Sequence, residues 1–319
     1  MNRSKSARTP CFVAPVSMIV LAFLFASLSA CRDKAGSIDP VAALYAGRQI
    51  IPNIRYSHTD SSLLLDAYIP ARALGEPPWN QYSDNRKPVL LYFHGGGFVE
   101  GDKISRSLFL MPYVSRGWCV VTADYSLLGK TPVTLPEIYG QARTALRWIY
   151  DNADKYKMDT AKIIVSGESA GGVLCLMTGF HPNDPSDKSG RPVSVAGIIN
   201  WFGVPDLQRA LKPSDASRFM GGGTTNADSV FRVCSPITYI TAASPPVMTI
   251  HGDQDPLVPY DQALLLRDTL TKLGVKNGLF TVEGKKHGNF DAAEMTAIFD
   301  QIWEFLDEIK VSSPLPRVR

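Results

Sequence analysis

The chain is poor in the features that would mark a metalloprotein or a nucleic-acid binder. Only five cysteines occur in 319 residues, none at a metal-ligand spacing, so neither a zinc site nor a dense disulfide scaffold can be read from them. No run of five or six basic residues is present. The formal charge of +3 is matched by Arg3, Lys5 and Arg8, in a leader whose first 30 residues contain no acid. Beyond that leader the chain is neutral, which excludes the footprint of a nucleic-acid binder and points to a small-molecule partner. Internal repeats are missing, and no Gly/Ser-rich linker separates two folding units. What is plentiful is apolar material, 45% of residues, enough for a sizeable core and too much for a disordered chain.

The leader itself carries an address. Residues 1–10 are polar and basic, and the apolar run from Met18 to Ala26 is too short to span a bilayer. It ends in Leu28-Ser29-Ala30-Cys31, which resembles the bacterial lipobox, where the cysteine is acylated and becomes the first mature residue. The expected division is a signal peptide at 1–30 and one domain over 31–319, exported to the cell envelope and held at a membrane through lipid on Cys31. An ordinary cleavage site with Cys31 incidental would leave a secreted or periplasmic protein, and an uncleaved helical anchor is a weaker option. Of the cysteines left in the mature chain, Cys119 falls in a strand-like run and Cys175 in a helix-like one. With Cys234 they allow one disulfide at most, and buried thiols are the simpler expectation.

From about residue 63, apolar runs of strand length alternate with amphipathic stretches of helix length, the pattern of a mostly parallel sheet covered on both faces. Strands are expected at 63–69, 88–93, 118–122, 163–166, 195–202, 246–250 and 279–282. Helical stripes cover 138–150, 261–273 and 292–309. Residues 75–87 read as a loop. The irregular stretch 205–244, with its three glycines at 221–223, reads as an insertion over the C-terminal edge of the sheet.

The sharpest local signal is Gly167-Glu168-Ser169-Ala170-Gly171, set between a buried strand and a helix opening near Gly172. A serine on such a turn takes strained backbone angles, and the small residues around it let neighbouring backbone come close. His94-Gly95-Gly96-Gly97-Phe98 follows the strand at 88–93. Acyl transfer builds negative charge on a carbonyl oxygen, and several glycines allow N–H groups to converge on one point. Gly96 and Gly97, with the N–H of Ala170, are the candidate oxyanion hole. A serine hydroxyl needs a base, and the base needs a carboxylate to fix its tautomer. Five histidines are present. His94 and His251 begin glycine turns and suit bracing, His58 precedes the sheet core, and His181 sits in a polar loop. His287, after the last strand, is the best base. Asp255 and Asp253 both follow the strand at 246–250 and are the candidate acids, with Asp206 a distant third.

These ordered motifs, over about residues 60–310, resemble the α/β-hydrolase superfamily and within it the hormone-sensitive-lipase-like esterases and related bacterial carboxylesterases. The resemblance implies an α/β-hydrolase fold with a mostly parallel sheet of about eight strands, helices on both faces and a small cap, here 205–244. It favours Asp255, which stands at the family's H-G-x-x-D position, and completes a catalytic set of Ser169, Asp255 and His287 that hydrolyses carboxylic esters with no cofactor and no metal. Ser126 stands where relatives often carry Arg, a departure that bears on loop bracing. Asp124 and Glu168 are expected to be structural. Trp201, Phe202 and Phe98 are pocket walls or core. An amidase, peptidase or formamidase could use the same residues. A non-catalytic binding module is the alternative from another class. Nothing in the sequence reads out oligomeric state.

The anchor is open to a direct test. Cys31→Ala is expected to abolish palmitate labelling and to move the protein out of the detergent phase. Labelling and partitioning equal to wild type would refute lipidation at Cys31.

Overall fold

The computed structural model describes residues 48–70, 86–182, 192–220 and 226–311. The leader with Cys31, nearly all of the 75–87 loop and the glycines at 221–223 lie outside the described residues. Eight strands form one sheet: β1 Arg48–Arg55, β2 Leu64–Pro70, β3 Lys87–Phe93, β4 Cys119–Ala123, β5 Met158–Glu168, β6 Gly197–Trp201, β7 Val247–Gly252 and β8 Asn277–Val282. Their order is β1-β2-β4-β3-β5-β6-β7-β8. β1 and β2 run antiparallel to their neighbours, and every pair from β4 to β8 is parallel. This is the mostly parallel sheet expected from the alternating pattern, in the α/β-hydrolase architecture that the family resemblance implies.

Alternation along the inner strands builds two cores. Val89, Leu91 and Phe93 of β3 enter one apolar cluster, while Leu90 and Tyr92 enter the other. Helices α1 Met111–Ser115, α2 Leu135–Tyr156, α3 Ala170–Phe180, α4 Leu207–Ala210, α5 Ala216–Phe219, α6 Ala227–Cys234, α7 Asp261–Lys272 and α8 Ala292–Glu308 complete the chain order. The first cluster takes residues of α2, α3, α6 and α7; the second takes Tyr113 and Val114 of α1 with Ile298, Ile302 and Trp303 of α8. α2 starts on a capping box between Thr134 and Glu137 and stops at Lys157, which turns left-handed at φ 54°. α3 is buried along its whole length, which explains why no amphipathic stripe marks it in the sequence. It begins at Ala170, directly after the serine and two residues before the expected start.

β1 has no counterpart in the expected strands. It carries Pro52 and exposes Ile50, and its register with β2 shifts between Ile51 and Ile54. An edge strand of this kind tolerates proline and lacks the clean alternation of a half-buried one. The described residues between β6 and β7 form a string of short helices, α4 to α6. Tyr139 of α2 donates to the Cys234 carbonyl at 2.7 Å, and Phe219 meets Phe98 edge-on at 6.5 Å. The three described cysteines are free and buried, and burial pushes the Cys119 and Cys234 thiols up to about 12.

The loop after β3 is pinned from below by a buried ion pair. Lys103 Nζ lies 3.2 Å from Asp66 Oδ1 of β2, with both side chains less than a tenth exposed. The same Asp66 oxygen accepts from Asn53 N at 2.8 Å, and Lys103 N donates to Asp124 Oδ1 at 2.7 Å. Lys103→Met strands a carboxylate in the core, so a loss of about 3 to 5 kcal/mol is expected in urea unfolding. A loss of under about 1 kcal/mol, the worth of a surface pair, would show that Asp66 is not held this way.

Candidate active site

β5 ends at Glu168 and α3 begins at Ala170, so Ser169 is the single residue joining them. Its backbone sits at φ 54°, ψ −115°, a region that costs a non-glycine residue on the order of 1–3 kcal/mol and persists only when the surroundings enforce it. The surroundings do so from three sides. Ser169 N donates to the Trp201 carbonyl at 2.9 Å, its own carbonyl accepts from Val173 N at 3.1 Å, and α3 holds the following residues. The side chain makes no capping bond to α3, which leaves the hydroxyl free for chemistry at the positive end of a helix. A Cβ at Gly171 would strike the carbonyls of Phe93 and His94. That close approach presses the elbow against the end of β3.

The glycine loop therefore lies beside the serine. Gly96 and Gly97 have φ of 115° and 60°, and Phe98 follows at 64°. At Gly96 a side chain would also collide with the Glu100 backbone, so only glycine fits. Val99 N and Glu100 N both donate to Gly96 O. Ala170 is the first residue of α3, so its N–H has no acceptor inside the helix. His94 braces the loop, as its position suggested: its ring stacks on Tyr125 at 4.2 Å and its Nδ1 lies 2.7 Å from Gly95 O. Burial lowers the His94 pKa, which suits a neutral bracing ring. Glu168 accepts from Arg106 Nε at 2.6 Å, and Gln141 bridges to both the N–H and the hydroxyl of Ser126, bracing that loop.

Asp255 and His287 come from the loops after β7 and β8 and meet directly, with His287 Nδ1 2.6 Å from Asp255 Oδ2. The other carboxylate oxygen, Oδ1, accepts from Leu257 N at 2.8 Å and Val258 N at 3.0 Å. Burial alone would raise the Asp255 carboxyl pKa, but hydrogen bonds from His251, Val258, His287 and Leu257 override it and hold the group well below the usual carboxylate range. The rival acids have other work. Asp253 Oδ1 accepts from Gly284 N at 2.7 Å, and Asp206 caps α4. His58 is exposed, and His181 stacks on Tyr239 at 4.7 Å.

Ser169 and His287 share a support rather than a bond. The ring of Phe202 packs on His287 at 4.5 Å, and Phe202 follows the residue whose carbonyl takes Ser169 N. Among the described residues no hydrogen bond joins Ser169 Oγ to the imidazole. Trp201, a wall or core candidate, is core, 1% exposed and packed on Phe109 at 4.8 Å. One residue is closer to the chemistry than sequence reading placed it: His251 is fully buried with Nε2 3.3 Å from Asp255 Oδ2. Its spacing of four residues from Asp255, across a glycine turn, was the signal available.

With this geometry in view, the chain can be set against known proteins. The family model BD-FAE matches residues 78–270. Esterase LipQ of Mycobacterium tuberculosis is 28% identical over 219 residues, 65% of this chain and 51% of LipQ. The chain thus spans about half the length of LipQ, and similarly of esterase LipC from the same organism, 53% of which is covered. Kynurenine formamidase of Drosophila melanogaster is 27% identical over 248 residues, covering 76% of this chain and 80% of that protein. Among solved structures, a thermophilic esterase from Thermogutta terrifontis superposes with a TM-score of 0.68 at 25% identity, over 84% of this chain and 95% of that one.

The depressed carboxyl of Asp255 carries a signed prediction. The folded state favours its ionised form, so the stabilisation is complete above the unfolded value near pH 4 and drains away as the pH falls toward the lower folded value. Urea unfolding of Asp255→Asn between pH 2 and 6 is expected to show a flatter stability curve than wild type on the acid side. Parallel curves would mean that the hydrogen bonds around this carboxylate do not favour its charged form.

Proposed function

The chain belongs to the BD-FAE family of hormone-sensitive-lipase-like α/β-hydrolases, and on that basis we propose that it is a serine hydrolase of carboxylic esters with short or aromatic acyl groups. The observation that carries the reading is the short Asp255–His287 pair, together with a serine held in a strained, uncapped elbow. Ser169 Oγ attacks the ester carbonyl and passes its proton to His287 Nε2. Asp255 fixes the tautomer with hydrogen on Nδ1 and stabilises the imidazolium that forms. The N–H groups of Gly96, Gly97 and Ala170 take the developing oxyanion, where preorganised donors act without reorganising. His287 returns the proton to the leaving alcohol, and a water activated by the same imidazole frees the acyl-enzyme. The segment 205–244 caps the pocket, and lipid on Cys31 holds the enzyme at the cell envelope.

A formamide can replace the ester in this scheme, since acyl transfer from either bond uses the same groups. The match to kynurenine formamidase favours keeping that reading, because this relative is covered over most of its own length. Short-chain p-nitrophenyl esters and an N-formyl aryl amine, assayed side by side, separate the two. Esters are expected to turn over at least tenfold faster; the reverse order would reassign the enzyme.

Ser169→Ala and Asp255→Asn are expected to lower kcat by about 10³-fold or more, and Ser169→Ala also to abolish labelling by a fluorophosphonate. Wild-type turnover in the purified serine variant would overturn the assignment.

A further inference from the structure

Asp255 Oδ2 faces two imidazoles, and the mechanism above uses one. His287 reaches this oxygen from a half-open position, its side chain 17% exposed, whereas His251 approaches from the other side with nothing exposed. His251 Nε2 lies 3.0 Å from the Val258 carbonyl and 3.3 Å from Asp255 Oδ2. Neither acceptor has a proton to give, so the hydrogen must sit on Nε2 and be shared between them. The other nitrogen, Nδ1, is sealed from solvent and has no partner. An N–H there would be a buried donor with no acceptor, which reinforces the same tautomer. The ring has little room to turn, with Tyr260 edge-on at 5.7 Å and Phe202 edge-on at 6.4 Å.

We infer that His251 is a positioning residue for the proposed hydrolysis, its Nε2–H clasping the turn from Asp255 to Val258 and fixing the orientation of the carboxylate on which His287 depends. Both amide donors to Asp255, Leu257 N and Val258 N, fall on Oδ1. They hold one end of the carboxylate, so Oδ2 is held by side chains alone, with His287 Nδ1 at 2.6 Å from it. His251 adds a second imidazole contact to that oxygen at 3.3 Å, and its hydrogen-bond acceptor, Val258 O, belongs to the residue whose N–H holds Oδ1. One buried ring thus ties the start of the turn to its end. His251 exchanges no proton with substrate and acts only through Asp255.

The inference rests on the triad reading of Ser169, Asp255 and His287, and its test has an arm that does not. In wild-type protein labelled with [15N]histidine, the nitrogen shifts of His251 are expected to report the neutral tautomer with hydrogen on Nε2. The tautomer with hydrogen on Nδ1 would overturn the inference whether or not any ester is cleaved. In the kinetic arm, His251→Met keeps the bulk and removes the donor, while His251→Gln restores an N–H of similar reach. With a short-chain p-nitrophenyl ester, the Met variant is expected to lose about tenfold in kcat with KM changed less than about twofold, and the Gln variant to recover most of the loss. Equal losses in the two variants, or none in either, would reduce His251 to core packing. If the Met variant fails to fold, the wild-type tautomer still decides. Wild-type protein that cleaves neither ester nor formamide would defeat the activity reading and leave the tautomer result standing.

Discussion

A carboxylate taken out of water must be answered on both oxygens, and the answer Asp255 receives organises the end of the sheet. It is 8% exposed yet held ionised, with two amides on Oδ1 and two imidazoles facing Oδ2. Those donors come from β7, from the loop after it and from the loop after β8, so satisfying one charge adds to the direct bonds, such as Gly284 N to Asp253 Oδ1, that join the two loops. Removing the charge would leave the donors with a weaker acceptor, while removing a donor would leave a buried anion underpaired. The site and the stability of this end of the sheet are therefore the same set of contacts.

The loop after β3 follows a similar rule with different groups. Lys103 is buried against Asp66, and through its backbone N–H it also holds Asp124 at the end of β4. The glycine loop carrying Gly96 and Gly97 is thus fastened on its far side by charge and on its near side by the elbow glycine, Gly171. Flexible backbone supplies the positive φ angles, and the fastenings keep those angles from becoming mobility. Preorganised N–H groups are useful only if they do not have to be reordered when charge develops.

What could be read from the sequence was what is local in it. Seven of the eight strands, the long helices α2, α7 and α8, the elbow at Ser169 and the glycine loop all declare themselves within a dozen residues, through period, glycine and flanking apolar runs. The meeting of Asp255 with His287 could be nominated by order along the chain. β1 was hidden because it is an edge strand with a proline and an irregular register. The Lys103–Asp66 pair was hidden because its partners lie on separate elements and each looks like an ordinary surface charge. His251 was read as a turn brace, which it is. Its reach to the acid needed the turn's shape, since spacing alone does not say that residues four apart in a loop face each other. Asp253 and Asp255 sit in the same motif, and only the fold separates them, by giving Asp253 the Gly284 N–H.

Hydrogen bonds along the sheet explain how segments so far apart in sequence reach a common place. Glu168 pairs with Trp201 across β5 and β6, and Trp201 pairs with Ile250 across β6 and β7. Just past these pairs the ladder continues by single bonds, from Ser169 N to Trp201 O at 2.9 Å and from Phe202 N to Ile250 O at 2.8 Å. Next in line, His251 and Gly252 pair with Thr281 and Val282 of β8. Ser169, the ring of Phe202 that packs on His287, His251 beside Asp255 and the strand that precedes His287 are thus successive rungs at one end of a parallel sheet. Because side chains alternate between faces, a slip of one residue in any of these pairings would turn its contribution to the opposite side. The apolar alternation that fills the two cores forbids that slip, so the same pattern that folds the protein also sets the register of its candidate chemistry.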